Sequence, residues 1–166
     1  MKTVEHAVSY LGEQKLLLAT AESCTAGEII TLIAQVPGSG ALIECGYVVY
    51  SPEAKQRLLG VSPKTIKQFN LTSCEVAREM AIGALRDSCA NVAVATTGIC
   101  GPDDVDGIPA GTVCFAWGFV HEGRTSIFTR RHRFFGAREV VQHKAALHAL
   151  EHIEGFHRRM LNGESA

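Results

Sequence analysis

Apolar positions along this chain alternate between a helical and a strand rhythm, and that alternation lays out the fold. Val4, Ala7, Val8 and Leu11, with Tyr10 beside them, fall on one face and predict a first helix of about three turns. Gly12 to Lys15 lead into Leu16–Thr20, a short apolar run suited to a buried strand. Ile29, Ile30, Leu32, Ile33 and Val36 restore the helical period. They predict a second helix over Thr25–Val36 that stops at the breaker-rich Pro37-Gly38-Ser39-Gly40. Glu44–Tyr50 mixes β-branched and aromatic residues as strands do. Ser51-Pro52-Glu53 and Ser62-Pro63-Lys64 each join a capping hydroxyl to a proline at the first helical position. They open two short helices ending near Gly60 and Phe69.

A long helix follows over Ser73–Cys89, with Val76, Met80, Ile82, Ala84 and Leu85 on its buried side. The apolar strand Asn91–Thr97 breaks at Gly98-Ile99-Cys100-Gly101-Pro102. Gly111–Val120 and Arg124–Phe134 read as a hairpin around His121-Glu122-Gly123, and a final helix runs from Arg138 to Met160. Helices alternating with strands and closing on a hairpin predict an α/β fold, a three-layer α/β/α sandwich around a mixed sheet. In such folds ligands gather at the carboxyl ends of the strands. The loops Thr20–Gly27, Tyr50–Lys55 and Thr97–Pro102 are therefore expected to meet.

Composition narrows the function classes. With 166 residues, 46% of them hydrophobic, the chain can bury one substantial core, and a single domain over residues 1–166 is expected. A net charge of −1 with interspersed signs leaves no electrostatic footprint for nucleic acid or an anionic membrane. No apolar run approaches the ~20 residues that span a bilayer, and Met1–His6 lacks the apolar core of a signal peptide. A cytoplasmic location is the resulting expectation. The six cysteines form no Cys-x-x-Cys pair and sit dispersed in apolar segments, which suits free buried thiols. Cys24 and Cys100 differ in lying within Gly-containing loops, but no histidine stands beside either to activate a thiolate.

Ser23 occupies the junction of the first strand and second helix, where backbone amides and the helix dipole favour negative charge. It is either a cap or a nucleophile. Lys55 lies one turn into the helix that begins at the end of the next strand; neighbouring strands would bring it to face Ser23 across one pocket. Serine–lysine pairs are a known nucleophile–base arrangement, provided burial keeps the amine neutral. Gly98-Ile99-Cys100-Gly101 permits close backbone approach to a ligand, although Gly-x-x-Gly alone is a weak signal. Asp103-Asp104-Val105-Asp106-Gly107 resembles a calcium loop only in passing and reads as solvated. His148 and His152 have the i, i+4 spacing of a metal-binding pair, but a third ligand is missing from their face, so a solvated helix surface is expected there.

Four segments taken together resemble the CinA C-terminal domain family, whose stand-alone members include nicotinamide mononucleotide amidohydrolases. They are Ala21-Glu22-Ser23-Cys24-Thr25-Ala26-Gly27; Gly46 to Lys55 continuing to Leu59-Gly60-Val61; Glu79 to Leu85; and Thr97 to Pro102 with Pro109 to Val113. The likeness spans roughly residues 5–155. It implies hydrolysis of the carboxamide of nicotinamide mononucleotide to nicotinate mononucleotide and ammonia, with no metal or organic cofactor. By motif matching it implies Ser23 as nucleophile and Lys55 as base, with Tyr50 beside them in the pocket. Cys24, Thr25, Thr97, Gly98, Gly101 and Arg138 become the expected substrate contacts. The implied partners are a small nucleotide substrate and a second copy of the chain, with Gly111–Val120 a candidate subunit face.

The chain departs from the family pattern at particular positions. Ala26 stands where glycine is usual, which is expected to place a methyl near the substrate. Cys100 replaces alanine, Ile108 a common lysine, Cys74 a glutamate, and Gln142 a second arginine one turn into the final helix. Losing two positive charges near a phosphate weakens ground-state binding, by roughly 1.5–3 kcal/mol per charge-assisted contact. A different amide substrate, or a nucleotide-binding module without turnover, stays open as the alternative.

Overall fold

A computed structural model describes residues 1–165, Ala166 lying outside them. Leu18–Glu22 (β1), Ile43–Val48 (β2) and Val92–Gly98 (β3) run parallel, with β1 between the other two. Thr112–His121 (β4) and Arg124–Arg133 (β5) continue the sheet antiparallel, giving the order β2-β1-β3-β4-β5. Helices Lys2–Glu13 (α1), Glu28–Ala34 (α2), Arg138–Glu151 (α6) and Ile153–Leu161 (α7) cover one face; Pro52–Leu59 (α3), Pro63–Phe69 (α4) and Cys74–Asp87 (α5) cover the other. The expected mixed sheet with helices on both sides is therefore present.

Alternation along the strands builds two different cores. Val92 and Val94 face the side filled by Phe115, Trp117, Phe119 and Phe128. Ala93, Ala95 and Ala116 face α5, whose own contact residues include Ala77, Ala81 and Ala84. Small residues on both surfaces let α5 lie close to the sheet. A Cβ on Gly83 would come within 2.0 Å of the Leu59 carbonyl oxygen, so α3 and α5 meet there backbone to helix. The β4–β5 hairpin turns at Glu122 (φ 50°) and Gly123 (φ 74°), a two-residue turn with the twist such hairpins need.

Several boundaries differ from expectation. β1 extends to Glu22, whose side chain is fully buried in spite of its charge. α2 begins at Glu28 rather than Thr25, and residues 24–27 form a turn. Ser39–Leu42 forms a short 3₁₀ turn within the expected breaker loop. The final helix divides at His152: Trp117 Nε1–H donates to the Ala149 carbonyl and His152 Nδ1–H to that of His148. Two successive carbonyls of the last turn thereby take side-chain donors, which ends α6. Residues 111–119 are buried between β3 and β5, so this run is an internal strand rather than a subunit face. Among the described residues, no helix is long and apolar enough to cross a membrane.

Candidate active site

Strand order creates a site at the carboxyl end of β1. The chain leaves β1 for β2 on one side, while β3 lies on the other, so a crevice opens where the connections diverge. Ser23 follows β1 directly, its amide donating to the Thr96 carbonyl of β3. α3 starts just past β2: Ser51 Oγ accepts from the Ala54 amide, and Pro52 fills the first turn. Lys55 sits on the inner face of that turn. Helical side chains lean toward the N-terminus, which carries its amine back over the end of β2.

Lys55 Nζ lies 2.9 Å from Ser23 Oγ, 2.9 Å from the Val49 carbonyl oxygen and 3.1 Å from that of Tyr50. Ser23 is 8% exposed and Lys55 2%. Among the described residues no carboxylate lies within ion-pair range of Lys55. Burial lowers its pKa from the ordinary 10.5, only partly opposed by the nearby Cys24. Two backbone carbonyls and one hydroxyl accept from the amine, so all three of its polar partners are dipoles and none is a counter-charge.

Behind Ser23 lies a group that pattern reading passed over. Glu22 Oε1 accepts from Thr25 Oγ1 (2.7 Å) and the Ile29 amide (2.8 Å), and Oε2 accepts from the Ile30 amide (3.2 Å). Its carboxylate therefore occupies the N-terminus of α2, and the helix dipole expected at the reacting centre is already neutralised there. The Cys24 amide, in the turn ahead of the helix, makes no hydrogen bond to the protein among the described residues, and Cys24 lines the cavity, so this N–H is the unpaired backbone donor on this side of the site.

Around the pair is a cavity of about 400 Å³, within the range of small-ligand pockets. The three expected loops do converge on it: Ser23 and Cys24, Tyr50 and Lys55, and the run Thr97 to Pro102 all contribute walls. Gly98 permits close approach to β4, since a Cβ there would meet the Thr112 carbonyl oxygen at 2.6 Å. Gly101 adopts φ 100°, where a side chain is strained. Arg138 enters from the start of α6, donating to the Gly101 carbonyl (2.7 Å) and to the Tyr50 hydroxyl (2.8 Å). Tyr50 is 55% exposed, so its ring forms the rim while its carbonyl holds Lys55. Thr97 Oγ1 donates to the Leu71 carbonyl, which fixes the Asn70–Leu71 turn as another wall.

Some expected contacts lie elsewhere. The Thr25 hydroxyl bonds to Glu22 and Thr96 beneath the site and does not line the cavity. Asp103, Val105 and Asp106 are exposed, as expected of a solvated loop, and also line the outer part of the cavity. Only their position after the Gly-Pro turn hinted at it. The Cys24 thiol is raised well above its ordinary pKa, first by its hydrogen bond with Cys100 and then by burial, both of which disfavour a thiolate at this position.

The departures also sort by position. Ala26 is exposed and outside the cavity; its effect is a positive φ of 51° rather than a methyl against substrate. Cys74 meets Cys114 on the α5 face, and Ile108 pairs with Val105 in the outer loop. Gln142 touches the site turn, Nε2 donating to the Cys24 carbonyl at 3.0 Å. A second hollow of about 390 Å³ lies between α1, α2 and α6, but Val4, Leu32, Val36 and Leu147 give it a mainly apolar wall. It lacks the convergent polar groups of the Ser23 cavity.

Fold and site together define an α/β protein with a buried serine–lysine pair at the switch point of its sheet. The chain belongs to the CinA C-terminal domain family, which matches it over residues 1–156. It is 40% identical over 152 residues to a protein of Escherichia coli (strain K12) named nicotinamide-nucleotide amidohydrolase PncC, covering 91% of this chain and 90% of that one. A Pseudomonas putida protein of the same name is 43% identical over 135 residues, or 81% and 82% of the two chains. The crystal structure of competence/damage inducible protein CihA from Agrobacterium tumefaciens superposes with a TM-score of 0.86 at 32% identity, covering 93% of each chain. That of competence damage-inducible protein A from Klebsiella pneumoniae subsp. pneumoniae MGH 78578 gives 0.84 at 35% identity, covering 90% and 91%.

Proposed function

We propose that this chain is an amidohydrolase that converts nicotinamide mononucleotide to nicotinate mononucleotide and ammonia. The observation that carries the reading is the 2.9 Å contact between Lys55 Nζ and Ser23 Oγ, buried in a ligand-sized cavity with no acid beside the lysine. The names of the relatives supply the substrate class.

In this reading Ser23 Oγ attacks the carboxamide carbon as its proton passes to the Lys55 lone pair. The resulting oxyanion faces the Cys24 amide. Lys55 returns the proton to the amide nitrogen, the C–N bond breaks, and ammonia departs from an ester on Ser23. Water then gives its proton to Lys55 and its oxygen to the ester carbon, releasing the carboxylate and restoring Ser23. Arg138, with the Cys100 and Gly101 amides that have no protein acceptor among the described residues, is the group best placed to hold the 5′-phosphate.

The test is ammonia release from nicotinamide mononucleotide by the purified protein, followed alongside Ser23→Ala and Lys55→Ala. Turnover by the wild type that both variants lose supports the assignment. Equal, negligible turnover by all three over a broad pH range would end it, and thermal stabilisation by the nucleotide in that case would identify a binding module instead.

A further inference from the structure

His148, Glu151 and His152 lie at the far end of α6 from Arg138, and none of them lines the Ser23 cavity. We propose that these three side chains form a binding site for one divalent transition-metal ion of the zinc, nickel and copper class. Their ligand atoms all lie within 4.8 Å of one another. Two donors on one tetrahedral zinc stand about 3.3 Å apart, given metal–ligand bonds near 2.0–2.1 Å. Side-chain rotation alone has at most about 1.5 Å to close. Glu151 is the third ligand that the spacing of the two histidines did not reveal. It stands three residues after His148, on the same helical face.

Two features set this cluster apart from a solvated pair of histidines. The His152 ring is oriented: Nδ1 lies 2.9 Å from the His148 carbonyl oxygen, which can only accept, so Nδ1 carries the proton and Nε2 presents its lone pair. Such a carbonyl partner is the usual means of fixing a ligating imidazole. The His148 ring is also held in place, tilted against Phe115 at 4.8 Å, stacked on His132 at 4.9 Å and 4.1 Å from the His152 ring, centroid to centroid. Two imidazole nitrogens and one carboxylate oxygen suit borderline ions rather than calcium or magnesium, which prefer all-oxygen sets.

His148-Ala149-Leu150-Glu151-His152 has the His-x-x-Glu-His spacing of one class of zinc hydrolases. In those enzymes the glutamate works on a metal-bound water; here its carboxylate stands among the ligand atoms at an exposed position. The inference is accordingly a binding site. An ion held there ties the last turn of α6 to the residue where the chain breaks into α7.

Trp117, the only tryptophan, supplies the readout, its ring centroid lying 6.3 Å from that of His148 and 5.8 Å from that of His152. Nickel chloride titrated into the full chain is expected to quench Trp117 fluorescence saturably at one ion per chain. Zinc, with its filled shell, should displace nickel and restore emission, and magnesium should do neither. His152→Asn and the exposed Glu151→Gln should each weaken nickel binding, by about tenfold or more for the histidine change. Circular dichroism confirms the fold of each variant, and Glu151→Gln carries the test if His152→Asn disturbs the helix junction. A quench that never saturates, or one that neither variant weakens, overturns the proposal. Because the readout is fluorescence and not ammonia release, its failure is separate from failure of the amidohydrolase reading.

Discussion

Replacing Glu22 tests whether a buried carboxylate supports the turn that carries Ser23. Its side chain is fully buried and accepts three hydrogen bonds, two of them from the first amides of α2. In Glu22→Ala the Thr25 hydroxyl keeps Thr96 as a partner, but the Ile29 and Ile30 amides lose theirs. Hydrogen bonds to a charged group contribute about 1.5–3 kcal/mol each, so two lost contacts amount to about 3–6 kcal/mol. That is a large share of the roughly 5–15 kcal/mol that holds a domain folded. At about 2–4 °C per kcal/mol for a domain of this size, Tm should fall by about 6–24 °C. Glu22→Gln keeps one acceptor oxygen and sets an NH₂ group against one amide. It should lose one contact, about 1.5–3 kcal/mol, or about 3–12 °C. Thermal unfolding followed by circular dichroism measures both, and ammonia release should fall with them as Ser23 drifts from Lys55. A Glu22→Ala protein melting within about 2 °C of the wild type would refute the reasoning, as would a Gln variant no more stable than the Ala variant.

Other consequences follow from single contacts. Because Lys55 must be neutral to accept a proton, kcat/KM should climb with pH along a limb centred below 10.5, and Lys55→Arg, charged at every accessible pH, should be inactive throughout. The same lowered pKa means the unfolded chain binds more protons than the folded one between the two values. Stability should therefore rise with pH across that window, and Lys55→Met should flatten the rise in denaturant titrations. Gly83→Ala adds about 1 kcal/mol of helix propensity yet drives a Cβ to within 2.0 Å of the Leu59 carbonyl oxygen, so a lower Tm is expected and a higher one would contradict the α3–α5 contact. Arg138→Ala should raise KM for nicotinamide mononucleotide by about 10- to 150-fold, the equivalent of one charge-assisted contact. Its KM for the phosphate-free riboside should change little, and an equal rise for both substrates would remove Arg138 from the phosphate.

Local signals were legible where one segment decides the outcome. Ser51-Pro52 and Ser62-Pro63 cap α3 and α4 as their residues foretell, each serine Oγ accepting a first-turn amide. Strand alternation foretold the mixed sheet, and chain order foretold the meeting of three loops. Errors arose where a distant group overrides the local pattern. The strand expected to end at Thr20 runs on to Glu22, because a buried carboxylate is tolerable there only with its donors in place, and two of those belong to a helix several residues on. The last helix kept its apolar period past His152, and nothing local revealed that Trp117 would take the Ala149 carbonyl. Asp103 and Asp106 are exposed, as a solvated loop should be, but their place at the mouth of the cavity was not legible from their charge.

What would suit Lys55 to the proposed role of base is the chemistry of its partners more than their number. Charged residues are seldom buried without a counter-charge, and an aspartate beside this amine would have stabilised its ammonium form and kept it protonated. The fold offers instead two backbone carbonyls at the end of β2 and one hydroxyl at the end of β1. Dipolar acceptors anchor the amine in place while compensating its charge only weakly, so burial can dominate its pKa. Those carbonyls are free because the chain leaves the sheet at Val49 and turns into α3 at Pro52, leaving the last strand acceptors unclaimed by a neighbouring strand. Substituting Lys55 by any residue that only fills space strands the Val49 and Tyr50 carbonyls together and, in the proposed mechanism, removes the proton acceptor, which would tie the chemistry of this site to the geometry of a strand end.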